Sequence, residues 1–140
     1  KGFVPAFVGS LVVSDLAGVL AGSAAMLGHS RPLFLKWQRG GKMVATAGGA
    51  FLGVAPLVGA VGAVVWILVF LLFRYASLAS MLAAISLPVA AALLGESWPV
   101  IGFAAVAALA IVFLHRANIA RLRSGTENRF RFRRAPQPLA

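Results

Sequence analysis

Cysteine is absent from all 140 residues, which excludes disulfides and thiolate metal sites while fixing no compartment. Acids are almost as scarce: Asp15, Glu96 and Glu127 stand against 13 lysines and arginines. With only two histidines beside them, the chain has too few ligands for a convincing metal site, and no Ser-His-acid set is evident. Charge of either sign makes up just 11% of the residues, well below what the surface of a water-soluble domain carries. No secretory signal and no domain linker stand out.

What fills the chain instead is apolar. Hydrophobic residues reach 61% and mean hydropathy is +0.93, so lipid is the solvent this composition suits. The net charge is +10, but the cations are gathered into short stretches between oily segments. Topology signals are arranged that way, whereas a nucleic-acid binder spreads its charge over a folded face. Six apolar spans follow, at roughly 3–13, 16–28, 43–57, 61–73, 76–94 and 99–114. Only the fifth approaches the ~20 residues that cross about 30 Å of hydrocarbon, so the others must tilt, extend or merge. A single span over 3–28 would place Asp15 in mid-membrane, at about 2.5–3.5 kcal/mol; six spans avoid this.

Charge alternation supports the count. With Lys1 inside, Asp15 falls outside, then Arg31, Lys36, Arg39 and Lys42 inside. A turn near Gly59 lies outside, Arg74 inside, Glu96 outside, and the arginine-rich end inside. All the cations then share the cytoplasmic leaflet. The organisation expected is a transmembrane bundle over 1–115 with a cytoplasmic loop at 29–42, followed by a basic cytoplasmic segment over 116–140. Gly18 with Gly22, and Gly49 with Gly53, are spaced to let helices approach closely.

Three polar stretches could carry chemistry. In "FLKWQRGGKMVAT" (34–46), Gly40 and Gly41 lead into Lys42 and then a helical run with Thr46 one turn on. Converging backbone N–H groups, a cation and a helix start favour a phosphate at the membrane surface. A nucleotide P-loop is excluded, because it needs glycine where Lys36 stands and Ser or Thr where Met43 stands. The plainer alternative is a positively charged loop with a flexible turn. In "HRANIARLRSGTE" (115–127), His115, Asn118 and Arg121 fall near one face if the helix continues, able to position phosphate or donate to an oxyanion. Glu127 is the one carboxylate on the basic side and reads as a structural ion pair. Lipid headgroups alone would account for most of the arginines. In "RYASLAS" (74–80), Arg74 sits at a membrane face, and Ser77 and Ser80 are spaced for hydrogen bonding between helices.

Taken together, "GH…FLKWQRGGKMVAT" (28–46), "RYASLAS" (74–80) and "HRANIARLRSGTE" (115–127) resemble the bacterial PlsY family, integral-membrane acylphosphate:glycerol-3-phosphate acyltransferases. The opening "KGFVP" is similar to the family's segment after its first conserved loop, and the likeness runs through the whole chain. The resemblance implies an all-α integral membrane protein, with about six transmembrane helices of a seven-helix bundle, in the bacterial inner membrane with its active site toward the cytoplasm. It implies acyl transfer from a fatty acyl phosphate to the 1-hydroxyl of glycerol 3-phosphate, giving lysophosphatidic acid and phosphate. No metal or cofactor is implied, nor acyl-CoA or acyl carrier protein as donor, and no nucleic acid as partner. Gly40, Gly41 and Lys42 match the family's glycerol-phosphate loop, His115 and Asn118 its activity-linked polar pair, and Glu127 its structurally required acid.

The chain also departs from the pattern. Met43 replaces a glycine usual after the lysine, so a stiffer or differently shaped loop is expected. Ala117 stands where an acid is common. The family's first conserved loop, Gly-Ser-Gly-Asn ending in arginine, is absent, so the chain reads as starting internally and the 140 residues alone are expected to have little activity. A reading from another class is a small multi-span transporter or lipid-binding protein whose basic loops touch anionic lipid. The lack of charge inside the later spans counts against ion transport.

Overall fold

The computed structural model describes residues 1–30 and 41–131. They form α1 (Phe3–Val12), α2 (Asp15–Ser30), α3 (Val44–Val54), α4 (Pro56–Phe73), α5 (Ala76–Leu93), α6 (Trp98–Leu114) and α7 (Arg116–Arg123). Each expected apolar stretch is therefore helical. By length and composition, α4 and α5 can each cross a membrane, and α6 joins them if α6 and α7 are counted as one bent span. At 1.5 Å per residue, α1 and α3 reach only about 15–17 Å, so neither crosses alone.

The break between the third and fourth stretches falls at Ala55 rather than near Gly59. Pro56 explains the shift: it opens α4, where a fixed φ and a missing N–H are tolerated. Gly59 instead lies inside α4, packed so closely on Leu52 that a Cβ would meet its backbone nitrogen at 2.7 Å.

Packing groups α1, α2 and α3 together, joins α3 to α4, and sets α5 between α4 and α6, with α2 closing onto α6. The Phe51 ring, fully buried on α3, stacks on Phe103 of α6 at 4.7 Å between centroids. Small residues bring the backbones close. A Cβ on Gly18 would lie 2.7 Å from the Ala6 carbonyl, and one on Gly53 would lie 2.8 Å from the Phe3 carbonyl. The glycine spacing thus serves close helix approach. Outward faces are oily, with Leu72 at 72% and Leu109 at 73% exposed, the reverse of a water-soluble surface.

The two ends of the bundle differ in polarity. At one end Asp15 accepts hydrogen bonds from Ser10 at 3.1 Å and Ser97 at 2.8 Å, tying α1, α2 and the start of α6 together. The opposite end carries Lys42, Arg74, α7 and the segment after it. The expected segregation of charge therefore holds among the described residues.

Gly18→Val is expected to lower the stability of the detergent-solubilised protein by about 1–3 kcal/mol through overpacking. Gly28→Val, where an added Cβ meets nothing within 4 Å, should change it by less than about 0.5 kcal/mol. Thermal unfolding of the two variants side by side checks the difference.

Candidate active site

At the cationic end, α6 runs out at Leu114, and α7 leaves from His115 at 56° to it. The break falls at His115 itself, which caps α7 and accepts from the Ile119 N–H at 2.9 Å, while Asn118 and Arg121 lie together on α7 and both reach Glu127. The bend still serves the site. Both His115 and Asn118 are buried, and Nδ1 of His115 lies 2.8 Å from the Ile111 carbonyl. A carbonyl can only accept, so Nδ1–H is the donor, and Nε2 carries the lone pair whenever the ring is neutral.

Asn118 is the bridge. Its Nδ2 donates to Glu127 Oε1 at 2.7 Å, and its Oδ1 accepts from Lys42 Nζ at 2.6 Å. Glu127 cannot donate when ionised, so it fixes which end of the amide faces the lysine. The same carboxylate accepts from Ser77 Oγ at 2.6 Å and from Arg121 Nε at 2.7 Å. One acid therefore joins α5, α7 and, through Asn118, the residue that leads into α3. Its side chain is 7% exposed. Burial opposes ionisation, but the hydrogen bonds from Ser77, Asn118 and Arg121 outweigh it and bring the Glu127 pKa down to about 2.

The segment after α7 folds back over the ends of α4 and α5. Phe130 donates its backbone N–H to the Arg74 carbonyl at 2.8 Å, and its ring rests on Phe70 at 5.5 Å. Arg129 lies over Tyr75 at 5.9 Å. This return was not read from the sequence; the signal was the solitary Glu127 among arginines, opposite a serine pair.

The glycine–lysine loop is described from Gly41 onward; Gly40 lies outside the described residues. Gly41 packs against His29 so closely that any Cβ would collide with the imidazole Nε2, which places a second histidine, not foreseen as a site residue, beside the loop. Met43 takes φ 65° and ψ −10°, a region that favours glycine. Met43 itself holds this left-handed backbone, at a cost of about 1–2 kcal/mol, with its side chain buried.

Thr46 is buried one turn into α3, with Gly2 packed against its carbonyl. Arg74 caps α4 with φ 64°. Arg121 gives its Nε to Glu127 Oε2 and keeps its side chain 46% exposed. Ser80 donates to the Ala76 carbonyl at 2.7 Å and accepts from Trp66 Nε1 at 3.1 Å, so Ser77 and Ser80 both bond between elements, as their spacing suggested. Beside Ser80 opens an apolar groove of 480 Å³ between α3, α4, α5 and the last turn of α6, lined by Val44, Trp66, Ala84, Leu87 and Ile111 among others. Among the described residues no group of three or more acids and histidines could hold a metal ion.

Because the folded pKa of Glu127 lies below its ordinary 4.5, the stability it contributes is present above about 4.5 and is lost as pH falls toward 2. Unfolding temperature should drop through that window. Glu127→Gln should lower stability at pH 7 by about 2–3 kcal/mol and flatten the acid decline; an unchanged acid profile would remove Glu127 as its source.

A family model described as glycerol-3-phosphate acyltransferase matches residues 1–125. A glycerol-3-phosphate acyltransferase of Roseiflexus sp. (strain RS-1) is 47% identical over 137 residues, covering 93% of this chain and 66% of that relative. Another, from Desulforudis audaxviator (strain MP104C), is 45% identical over 134 residues, covering 96% of this chain and 67% of that relative. The fold is similar to the crystal structure of PlsY, an integral membrane glycerol 3-phosphate acyltransferase, in its glycerol 3-phosphate form. The TM-score is 0.88 at 38% identity, covering 92% of this chain and 65% of that one. The lysophosphatidic acid form gives 0.87 at the same identity. The chain spans about two thirds of the length of these relatives. On matched length, identity and fold alike, it belongs to the PlsY family of integral-membrane glycerol-3-phosphate acyltransferases.

Proposed function

We propose that the full-length protein transfers an acyl group from a fatty acyl phosphate to the 1-hydroxyl of glycerol 3-phosphate, releasing lysophosphatidic acid and inorganic phosphate. The relatives share the glycerol-3-phosphate acyltransferase name, and the solved neighbours are described in glycerol 3-phosphate and lysophosphatidic acid forms. The observation that carries the reading is the 2.6 Å contact of Lys42 with Asn118. It sets Lys42 against α7, beside the bend at His115 and the Arg121–Glu127 pair, and this supports the reading of a shared phosphate pocket.

The chemistry suits such a pocket. Phosphate on both substrates calls for cations and backbone donors, and Gly41 and Lys42 at the approach to α3 supply them beside Asn118. An acyl phosphate is already activated, so alignment and stabilisation of the oxyanion are the main tasks. The hydroxyl oxygen attacks the acyl carbon, the carbon–oxygen bond to phosphate breaks, and phosphate departs with that electron pair. The hydroxyl proton ends on the departing phosphate, directly or by way of Nε2 of His115. The acyl chain would lie in the apolar groove that begins at Val44 and Ser80. Residues 29–42 and 116–140 would face the cytoplasm of a bacterial inner membrane, with phosphate-bearing substrates arriving from that side.

Full-length protein in liposomes is expected to release phosphate only when acyl phosphate and glycerol 3-phosphate are both present. Lys42→Ala should raise the KM for glycerol 3-phosphate by about tenfold or more, the loss of one charge-assisted bond. An unchanged KM would take the loop out of the site.

A further inference from the structure

Glycines in the groove wall divide into two kinds. Gly59 and Gly62 are small because helices pack on them: an added Cβ would meet the Leu52 nitrogen at 2.7 Å and Leu87 Cδ2 at 2.7 Å. On α3, Gly49 lies outside the groove lining and faces Phe3 of α1, whose nitrogen would lie 3.1 Å from a Cβ. Gly48 is different. It lines the groove, yet a Cβ there would meet nothing within 4 Å. Glycine inside a helix weakens it relative to alanine, and no neighbour at Gly48 demands the smaller residue. What its missing side chain leaves is space in the groove.

That space lies below the polar cluster. Three of its lining residues adjoin that cluster: Val44, two residues after Lys42; Ile111, whose carbonyl holds His115; and Ser80, one turn from Ser77. Gly48 is one helical turn beyond Val44, about 6 Å down, the reach of roughly four or five methylenes. Leu52 is another turn deeper in the same wall. An occupant with an anionic head on the cations and an apolar tail in the groove must pass Gly48 after its first few carbons.

We infer that Gly48 is a specificity-determining residue: by leaving the groove open one turn below the polar cluster, it admits the long acyl chain of the donor. This rests on the proposed acyl transfer. Side chains at this position set how much of the chain can enter. A short acyl group ends above Gly48 and does not sense it. A long one must cross it, and a branched side chain there closes the passage.

The test compares butyryl phosphate with hexadecanoyl phosphate in full-length protein, following phosphate release with saturating glycerol 3-phosphate. For Gly48→Leu, the ratio of kcat/KM for the long donor over the short one should fall by about tenfold or more. Gly48→Ala should shift it the same way by less, and it decides the matter if the leucine variant does not fold. Gly102→Leu is the control, since Gly102 on α6 also has open space around a Cβ but does not line the groove; its ratio should match wild type. An unchanged ratio in both Gly48 variants, or an equal fall with both donors, overturns the assignment while wild-type turnover leaves acyl transfer standing. No phosphate release by wild type from either donor overturns both.

Discussion

A single carboxylate on a face crowded with cations is the constraint on which the candidate site depends. Glu127 receives Ser77, Asn118 and Arg121 together, and Lys42 joins the cluster through Asn118. Its charge is what lets like-charged side chains collect near one another without driving the ends of the helices apart. Its acceptor-only chemistry is what turns the Asn118 carbonyl toward Lys42. A neutral residue of the same shape would fill the space yet leave the amide free to present either end.

Around that point the molecule separates two tasks by solvent. The polar groups of the candidate site sit at one end of the bundle. The groove beside them is walled by α3, α4, α5 and the last turn of α6 and offers almost nothing but carbon and hydrogen. Ser80 and Trp66 stand near the boundary and satisfy each other, so neither leaves an unmet polar group on the apolar wall. Asp15 performs a parallel task at the opposite end, where two serines from different elements meet one carboxylate.

The helices were legible because apolar runs in this chain are cut cleanly by charges, glycines and prolines, and the observed limits fall within a few residues of those expected. Among the described residues, the end of the bundle at which the charges gather was legible for the same reason. Other features left no pattern in one dimension. The break at Ala55 lies inside an unbroken apolar run, and only Pro56 marks it. Hydrophobic periodicity could not say which face of α4 meets lipid and which meets α5, because both neighbours are apolar. The bend at His115 and the return of Phe130 onto Arg74 depend on contacts between distant segments. Met43 shows the limit of residue-type reasoning: its identity does not announce that it takes a left-handed backbone with its side chain buried.

The pairing of Trp66 with Ser80 gives the groove an optical property of its own. An indole held in the wall by its N–H has one edge anchored and its ring turned to whatever fills the space beside it, so its emission should register the polarity and heavy atoms of that occupant. Trp98, 83% exposed at the other end of the bundle, senses a separate environment. Bromine carried at successive positions along a lipid tail would therefore quench the two indoles unequally, converting the depth of a bound chain into a spectrum.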